Sequence, residues 1–282
     1  MMAKLTIPDM IKLKGQRPIS WMTAYDFVQS QLVAAAGIDV ILVGDSLGMT
    51  TLGFNTTLPV TIDHMVHHSA AVRRGAPDTL MIVDLPFLTY TEPGQALRNA
   101  GRVMQETLAD GVKLEGGQAI LPVVDALIKE SIPVIGHLGL TPQSVHRMGG
   151  YKVQARSAEA IKLLVDDARQ LSAHGVSAIV LEGIPDRVAQ YVTQEISVPT
   201  IGIGAGAGCD GQVLVFHDCL GLSSGYPKFA RPFEDLRSRI IEGLSQYRIQ
   251  VEARTFPNDQ ESYHVTDHEW TEFLSLVQST SQ

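Results

Sequence analysis

The feature that most constrains this chain is a regular alternation of short apolar runs with amphipathic ones. Strand-like runs occur at "ISWMTAY", "VILVGD", "LMIVDLPF", "VKLEGG", "PVIGHLG", "AIVLEGI" and "PTIGIGAG". Helical patterns stand between most of them: "DFVQSQLVAAAG" and "IDHMVHHSAAVRRG" each end on a glycine stop, and "PGQALRNAGRVMQETLADG", "QAILPVVDALIKES" and "SAEAIKLLVDDARQLSAHG" continue the series. Strand, helix, strand, helix in unbroken succession implies parallel pairing through right-handed crossovers. An eighth strand would close the sheet. "CDGQVLVFHDCLG" has both strand and helix signals, and we read it as a short helix, with the eighth strand near "YPKFAR" and a last helix over "FEDLRSRIIEGLSQYRIQVEA". The expectation is a (β/α)8 TIM barrel. An open doubly wound sheet is the alternative, but the glycines of "GIGAG" lie late in the chain with no first βαβ unit to frame them.

Buried parallel strands are normally apolar on both faces. In "VKLEGG" that rule breaks, because Lys113 and Glu115 share the face opposite Val112 and Leu114. Similar interruptions fall near the ends of the other runs: Asp45, Asp84, His137 and Glu182. Barrel enzymes carry their chemistry at the C-terminal ends of the strands, so these residues are candidates for one site. Carboxylates converging there would repel one another unless a cation sits among them. Oxygen ligands without a cysteine or histidine cluster point to magnesium rather than zinc. Such an ion keeps positions for the carboxylate and keto oxygens of a 2-oxo acid and acidifies the adjacent C–H, leaving a separate carboxylate to take the proton.

Composition narrows the alternatives. Of 282 residues, 18% are charged and 45% hydrophobic, the balance of a compact globule, and a net charge of -8 argues against a nucleic-acid partner. No apolar run approaches the ~20 residues of a membrane span, and the N-terminal stretch lacks the apolar core of a secretion signal. The two cysteines, Cys209 and Cys219, read as a reduced pair in a cytoplasmic protein. His64 and His68, four apart on a helix, lack a third zinc ligand and read as a solvated face.

The blocks "MTAYD", "VGDSLGMTTLGFNTTLPVT", "HHSAAVRRGAP", "DLPF", "VKLEGG", "GHLGLTPQSV", "GGYKVQAR", "DGQVLVFHD" and "PKFARPF" resemble the ketopantoate hydroxymethyltransferase family, in order, from about Leu5 to His264. The resemblance implies a barrel of the phosphoenolpyruvate mutase and isocitrate lyase type over residues 1–264, with residues 265–282 a C-terminal tail. It implies transfer of a one-carbon unit from 5,10-methylenetetrahydrofolate to 3-methyl-2-oxobutanoate, giving 2-dehydropantoate on the route to pantothenate and coenzyme A. On matching positions, Asp45, Asp84 and Glu115 would bind Mg2+. Asp45, Ser46, Asp84, Lys113 and His137 would bind the oxo acid, with Lys113 and Ser46 on its carboxylate, and Glu182 would be the proton acceptor. A homo-oligomer is implied too, a decamer being one form it could take. Two other readings stay open: a C–C or P–C lyase on the related barrel, although the cysteine-bearing loop of such lyases has no counterpart between the fourth and fifth strands, and a non-catalytic metabolite-binding protein.

The loop "LGMTTLGFNTTLPVT" is expected to close over the oxo acid and exclude water. Limited proteolysis should therefore cut this loop more slowly with oxo acid present than without it, and equal rates would count against closure.

Overall fold

The structure, a computed structural model, describes residues 4–279; residues 280–282, at the end of the expected tail, lie outside the described residues. The chain divides into two compact units, one ending at Glu234 and one beginning at Asp235. The first unit contains eight parallel strands that close in sequence order. They are β1 (Ile19–Thr23), β2 (Val40–Val43), β3 (Leu80–Asp84), β4 (Gly111–Glu115), β5 (Val134–Gly139), β6 (Ala178–Glu182), β7 (Thr200–Ile203) and β8 (Gly211–Leu214). Helix α1 (Ile7–Lys12) precedes β1, and α2 (Phe27–Ala35) joins β1 to β2. Helices α3 (Leu47–Thr50) and α4 (Ile62–Gly75) lead to β3, and α5 (Pro93–Thr107) and α6 (Leu121–Lys129) follow the next two strands. Helices α7 (Val145–Met148) and α8 (Ala158–Ala173) precede β6, α9 (Asp186–Glu195) precedes β7, and α10 (Phe216–Cys219) follows β8. The second unit holds α11 (Leu236–Glu252) and α12 (Asp267–Ser279), separated by a 3-10 turn over Asp259–Glu261.

The barrel differs from the sequence expectation at its closure. The eighth strand is Gly211–Leu214, inside the segment read as a helix, and residues 226–231 form no strand. Gly211 pairs with Ile201 of β7 and Ile19 of β1, so this strand seals the cylinder. The expectation failed because it required a helix between every two strands. β7 is 4 residues long, about 13 Å at the rise of a strand, a span that residues 204–210 can retrace without a helix. Gly204 at φ +63° and Gly206 at φ +78° turn that segment in the left-handed region, where a side chain would be strained. At its far end the Asp210 carboxylate accepts from the Thr200 amide at 2.9 Å and from Lys14 Nζ at 2.7 Å.

The period of two along each strand sorts the core into two populations. Outward residues such as Ile41, Val43, Met81, Val83, Val112, Leu114, Ile179 and Leu181 join one cluster with buried side chains of the helices. Inward residues, among them Ile19, Trp21, Val40, Leu42, Leu80, Ile82, Ile135, Ala178, Val180, Ile201 and Val213, form a second cluster with Met10 of α1. A Thr6–Asp9 capping box starts α1. The lower barrel is thus filled with hydrocarbon, leaving the inward positions near the C-terminal ends for something else.

Near the opposite end, Arg73 of α4 is buried and donates to the carbonyl oxygens of Pro77, Thr79 and Leu108 and, at 2.6 Å, to Asp110. Burial alone would raise the Asp110 carboxyl. Hydrogen bonds from Lys4, the Met81 amide and Arg73 more than offset that and hold it below its ordinary value of 3.8. A carboxyl depressed in the folded state stabilises the fold above its unfolded pKa, and that contribution is lost as pH falls through the folded pKa. Asp110→Asn should therefore cost roughly 2–3 kcal/mol at neutral pH by leaving a buried guanidinium without its counter-charge. Urea titrations of both proteins should show this difference shrinking below about pH 4.

Candidate active site

Parity along the strands carries the polar residues inward. On β3 the inward series Leu80, Ile82 continues to Asp84; on β5 Ile135 continues to His137; on β6 Ala178 and Val180 continue to Glu182. On β4 the inward positions are Lys113 and Glu115, both buried, so the two charges that interrupt "VKLEGG" do lie inside the barrel. Register sets the neighbours: Asp84 pairs with Lys113 and Glu115 with His137. Asp45 and Ser46 follow β2 on the same rim, where the chain turns into α3.

The contacts form a continuous chain. The Asp45 amide donates to Asp84 Oδ2 at 3.0 Å. A Cβ on Gly44 would lie 2.8 Å from Ser46 Oγ and 3.5 Å from Asp84 Oδ2, so glycine lets this turn close on the aspartate. Lys113 Nζ stands 3.1 Å from Asp84 Oδ1 and 3.1 Å from His137 Nδ1. His137 Nδ1 is 3.5 Å from Glu115 Oε1, and Nε2 is 3.2 Å from Glu182 Oε2. The Lys113–Asp84 approach is an ion pair without hydrogen-bond alignment, which leaves Oδ1 buried and lacking an oriented donor. Ser46 Oγ shares a 2.7 Å hydrogen bond with the hydroxyl of Tyr25, a fully buried phenol that burial pushes up to about 12.

Electrostatics inside this ring are unequal. Burial, then repulsion from Asp84 and Glu115, raises the Asp45 carboxyl well above the usual range. Burial also raises Asp84, against the opposing pull of Lys113. Lys113 loses hydration, but Asp84, Glu115 and Asp45 together keep it protonated. Burial and Lys113 disfavour a proton on His137, and hydrogen bonds to Glu115 and Glu182 prevail, bringing it to about 9. Four carboxylates therefore face one ammonium and one imidazole. This donor set, with a repelled aspartate and an unaligned buried oxygen, fits a hard divalent cation. Among the described residues no three histidine, cysteine or carboxylate side chains are gathered as a preformed cage. Magnesium does not require one, since it uses one or two carboxylates and completes its shell with water and substrate oxygens.

Other sequence candidates fall outside the ring. His64 takes part in the cap of α4 with Thr61, and His68 Nδ1 lies 2.6 Å from the Tyr25 carbonyl oxygen, so both serve the backbone, and neither stands free on a solvated face. Cys209 and Cys219 are free thiols whose pKa values burial raises, which disfavours the nucleophilic thiolate. The loop expected to close begins as α3, anchored by buried Leu47, and Met49 Sδ meets the hydroxyl of Tyr151 at 3.6 Å. Three residues at the site went unassigned in the sequence: Tyr25, Tyr90 and Gln143. Gln143 lies in a short 3-10 turn, Pro142–Ser144, where a polar residue of the sequence reads as solvated, yet it is buried against Asp45 and Glu115. The tyrosines read as ordinary core.

The model of the ketopantoate hydroxymethyltransferase family matches residues 4–259. The chain belongs to this family. It is 46% identical over 277 residues to the 3-methyl-2-oxobutanoate hydroxymethyltransferase of Geobacillus thermodenitrificans (strain NG80-2), covering 97% of this chain and 99% of the relative. Its identity to the enzyme of that description from Trichodesmium erythraeum (strain IMS101) is 52% over 248 residues, 87% of this chain and 94% of the relative. Among solved structures, a 2,3-dimethylmalate lyase of the phosphoenolpyruvate mutase/isocitrate lyase superfamily superposes with a TM-score of 0.59 at 15% identity, over 100% of this chain and 96% of that one. A phosphonopyruvate hydrolase solved with oxalate and Mg++ gives 0.61 at 9% identity, over 98% and 97%. At such identities the lyase and hydrolase share the fold alone. The protein is a one-carbon transferase, a ketopantoate hydroxymethyltransferase, which sets aside the lyase and non-catalytic readings.

Removing the most repelled charge should expose the conflict in the ring. Asp45→Asn is expected to stabilise the metal-free protein by roughly 1 kcal/mol and to lose the rise in thermal midpoint that a divalent cation bound in this ring would give the wild type. Calorimetry with and without Mg2+ checks both effects.

Proposed function

We propose that the barrel mouth takes a hydroxymethyl unit from 5,10-methylenetetrahydrofolate and places it on C3 of 3-methyl-2-oxobutanoate, with Mg2+ as cofactor and 2-dehydropantoate as product. The observation that carries this reading is the close succession of Asp84, Lys113, His137 and Glu182, which sets an ammonium that could neutralise an anion two strands from a carboxylate in one buried ring. Asp45 and Asp84 would hold the metal, with Glu115 contributing directly or through water. Bound there, the ion would polarise the keto group and acidify the neighbouring C–H. Support for an oxo acid comes from the chemistry of the donors and from the fold neighbour solved with oxalate and Mg++, since a 2-oxo acid offers a similar pair of vicinal oxygens.

Each side chain then has a task. Lys113 neutralises the substrate carboxylate, and the Ser46 hydroxyl, oriented by Tyr25, hydrogen-bonds to it. Asp45 and Asp84 lie beside the oxo acid on the same rim. Glu182 takes the proton from C3, and the freed electron pair delocalises onto the keto oxygen. C3 then attacks the methylene carbon of the folate-derived iminium, whose C=N π electrons return to nitrogen. Water replaces that nitrogen on the new carbon, releasing tetrahydrofolate and leaving the hydroxymethyl group. His137, with Nδ1 between Lys113 and Glu115 and Nε2 3.2 Å from Glu182 Oε2, lines the pocket beside the base. Chemistry is confined to the barrel, with no part assigned to residues 265–282. The family's homo-oligomeric state, up to a decamer, is part of this reading, and exposed Ile240, Ile241, Leu244 and Tyr247 on α11 support self-association. Two free thiols suit a reducing cytoplasm.

Glu182→Gln should slow exchange of the C3 proton of 3-methyl-2-oxobutanoate by about 10²–10⁴-fold. Binding of Mg2+ and oxo acid should change little. Exchange followed by NMR in deuterated buffer, without folate, tests the base separately from the transfer step, and a wild-type rate in the variant would refute the assignment.

A further inference from the structure

We propose that Gln143 is a positioning residue, held by Tyr90, that aims the carboxylates of Asp45 and Glu115 at the metal; this rests on the metal reading above. Gln143 lies in the turn after β5, just before α7, yet it is buried and makes bonds to three other strand ends. Its Nε2 donates to Asp45 Oδ2 at 2.8 Å and to the Leu85 carbonyl oxygen at 3.0 Å. Its backbone amide donates to Glu115 Oε2 at 3.0 Å. Its Oε1 accepts from the Tyr90 hydroxyl at 2.6 Å, and that hydroxyl accepts from the Glu115 amide at 3.3 Å.

The orientation of the amide is forced. A main-chain carbonyl and a carboxylate can only accept, so the atom facing Leu85 and Asp45 must be the NH2. The carbonyl end then meets Tyr90, which must donate. Gln143 consequently occupies one oxygen of each carboxylate, Oδ2 of Asp45 and Oε2 of Glu115, and leaves the other oxygen for a different partner. It also draws two like charges together using neutral dipoles, where a second lysine would add a charge that competes with a cation. Groups that orient ligating carboxylates typically matter 10–100-fold for metal affinity. Tyr90 acts one bond further out: without its hydroxyl the amide loses the partner that fixes it, a loss of about one hydrogen bond or roughly fivefold.

Mn2+ binding to the metal-free protein, followed by the EPR signal of free Mn2+, tests this. Gln143→Leu should weaken binding by about 10–100-fold and Tyr90→Phe by roughly fivefold. In the Gln143→Leu background the Tyr90→Phe effect should shrink, because the stronger of the bonds through which Tyr90 acts ends on Gln143. A residue that merely propped the turn would lower the thermal midpoint and leave the dissociation constant of the folded protein at the wild-type value. That result, or a Tyr90→Phe effect that persists in full without Gln143, overturns the proposal. If Gln143→Leu does not fold, Tyr90→Phe alone decides: weaker binding supports the proposal and unchanged binding overturns it. Wild-type protein that fails to bind Mn2+ refutes the metal assignment itself and this proposal with it, whereas wild-type binding left untouched by both variants refutes only the role of Gln143.

Discussion

Asp45, Asp84 and Glu115 are held close together in a place where water cannot separate them. Burial, then repulsion from Asp84 and Glu115, lifts the Asp45 carboxyl well above the usual range, and Lys113 answers this only in part. Everything around the barrel mouth can be understood as a response to that repulsion. Lys113 stands between Asp84 and His137, His137 lies beside Glu115 and Glu182, and the Asp45 amide is turned onto Asp84. These contacts moderate the conflict and do not abolish it, and the remainder is what would give a divalent cation its purchase.

The strain is tolerable because the rest of the first unit is conventional. Inward residues of the lower strands form a hydrocarbon plug closed by Met10, while outward ones merge with the helical layer. Polar groups are confined to one end, so the hydrophobic contribution of the core is undisturbed by the chemistry above it. Confinement also lowers the local dielectric around the ring, which makes each pairing there stronger and each mispairing more costly. Stability and reactivity are thus assigned to different layers of one cylinder.

How much of this was readable beforehand follows from which signals are periodic. Lys113 and Glu115 were legible because a charge in a buried strand breaks a pattern of period two, and Asp84, His137 and Glu182 end their runs in the same way. The barrel was legible from alternation, but its last strand was not, since "GQVL" is only 4 residues long and no helix announces it. Gln143 left no mark because a 3-10 turn of 3 residues is too short to set a period against which a buried amide would stand out. Tyr25 and Tyr90 were invisible for the opposite reason: a buried aromatic is expected, and only the partner of its hydroxyl reveals a second use.

The short return from β7 to β8 affects the outer wall of the barrel. Among the described residues it is the one strand-to-strand connection that carries no helix, and Gln212 on β8 is exposed where other strands turn aliphatic side chains outward. The return from β7 thus brings no helix of its own to the outer wall. Its residues press instead on α9, where a Cβ on Gly206 would lie 2.5 Å from Asp186 Cβ and one on Gly208 2.9 Å from Gln190 Cβ, so a longer return at this place would have to push that helix aside.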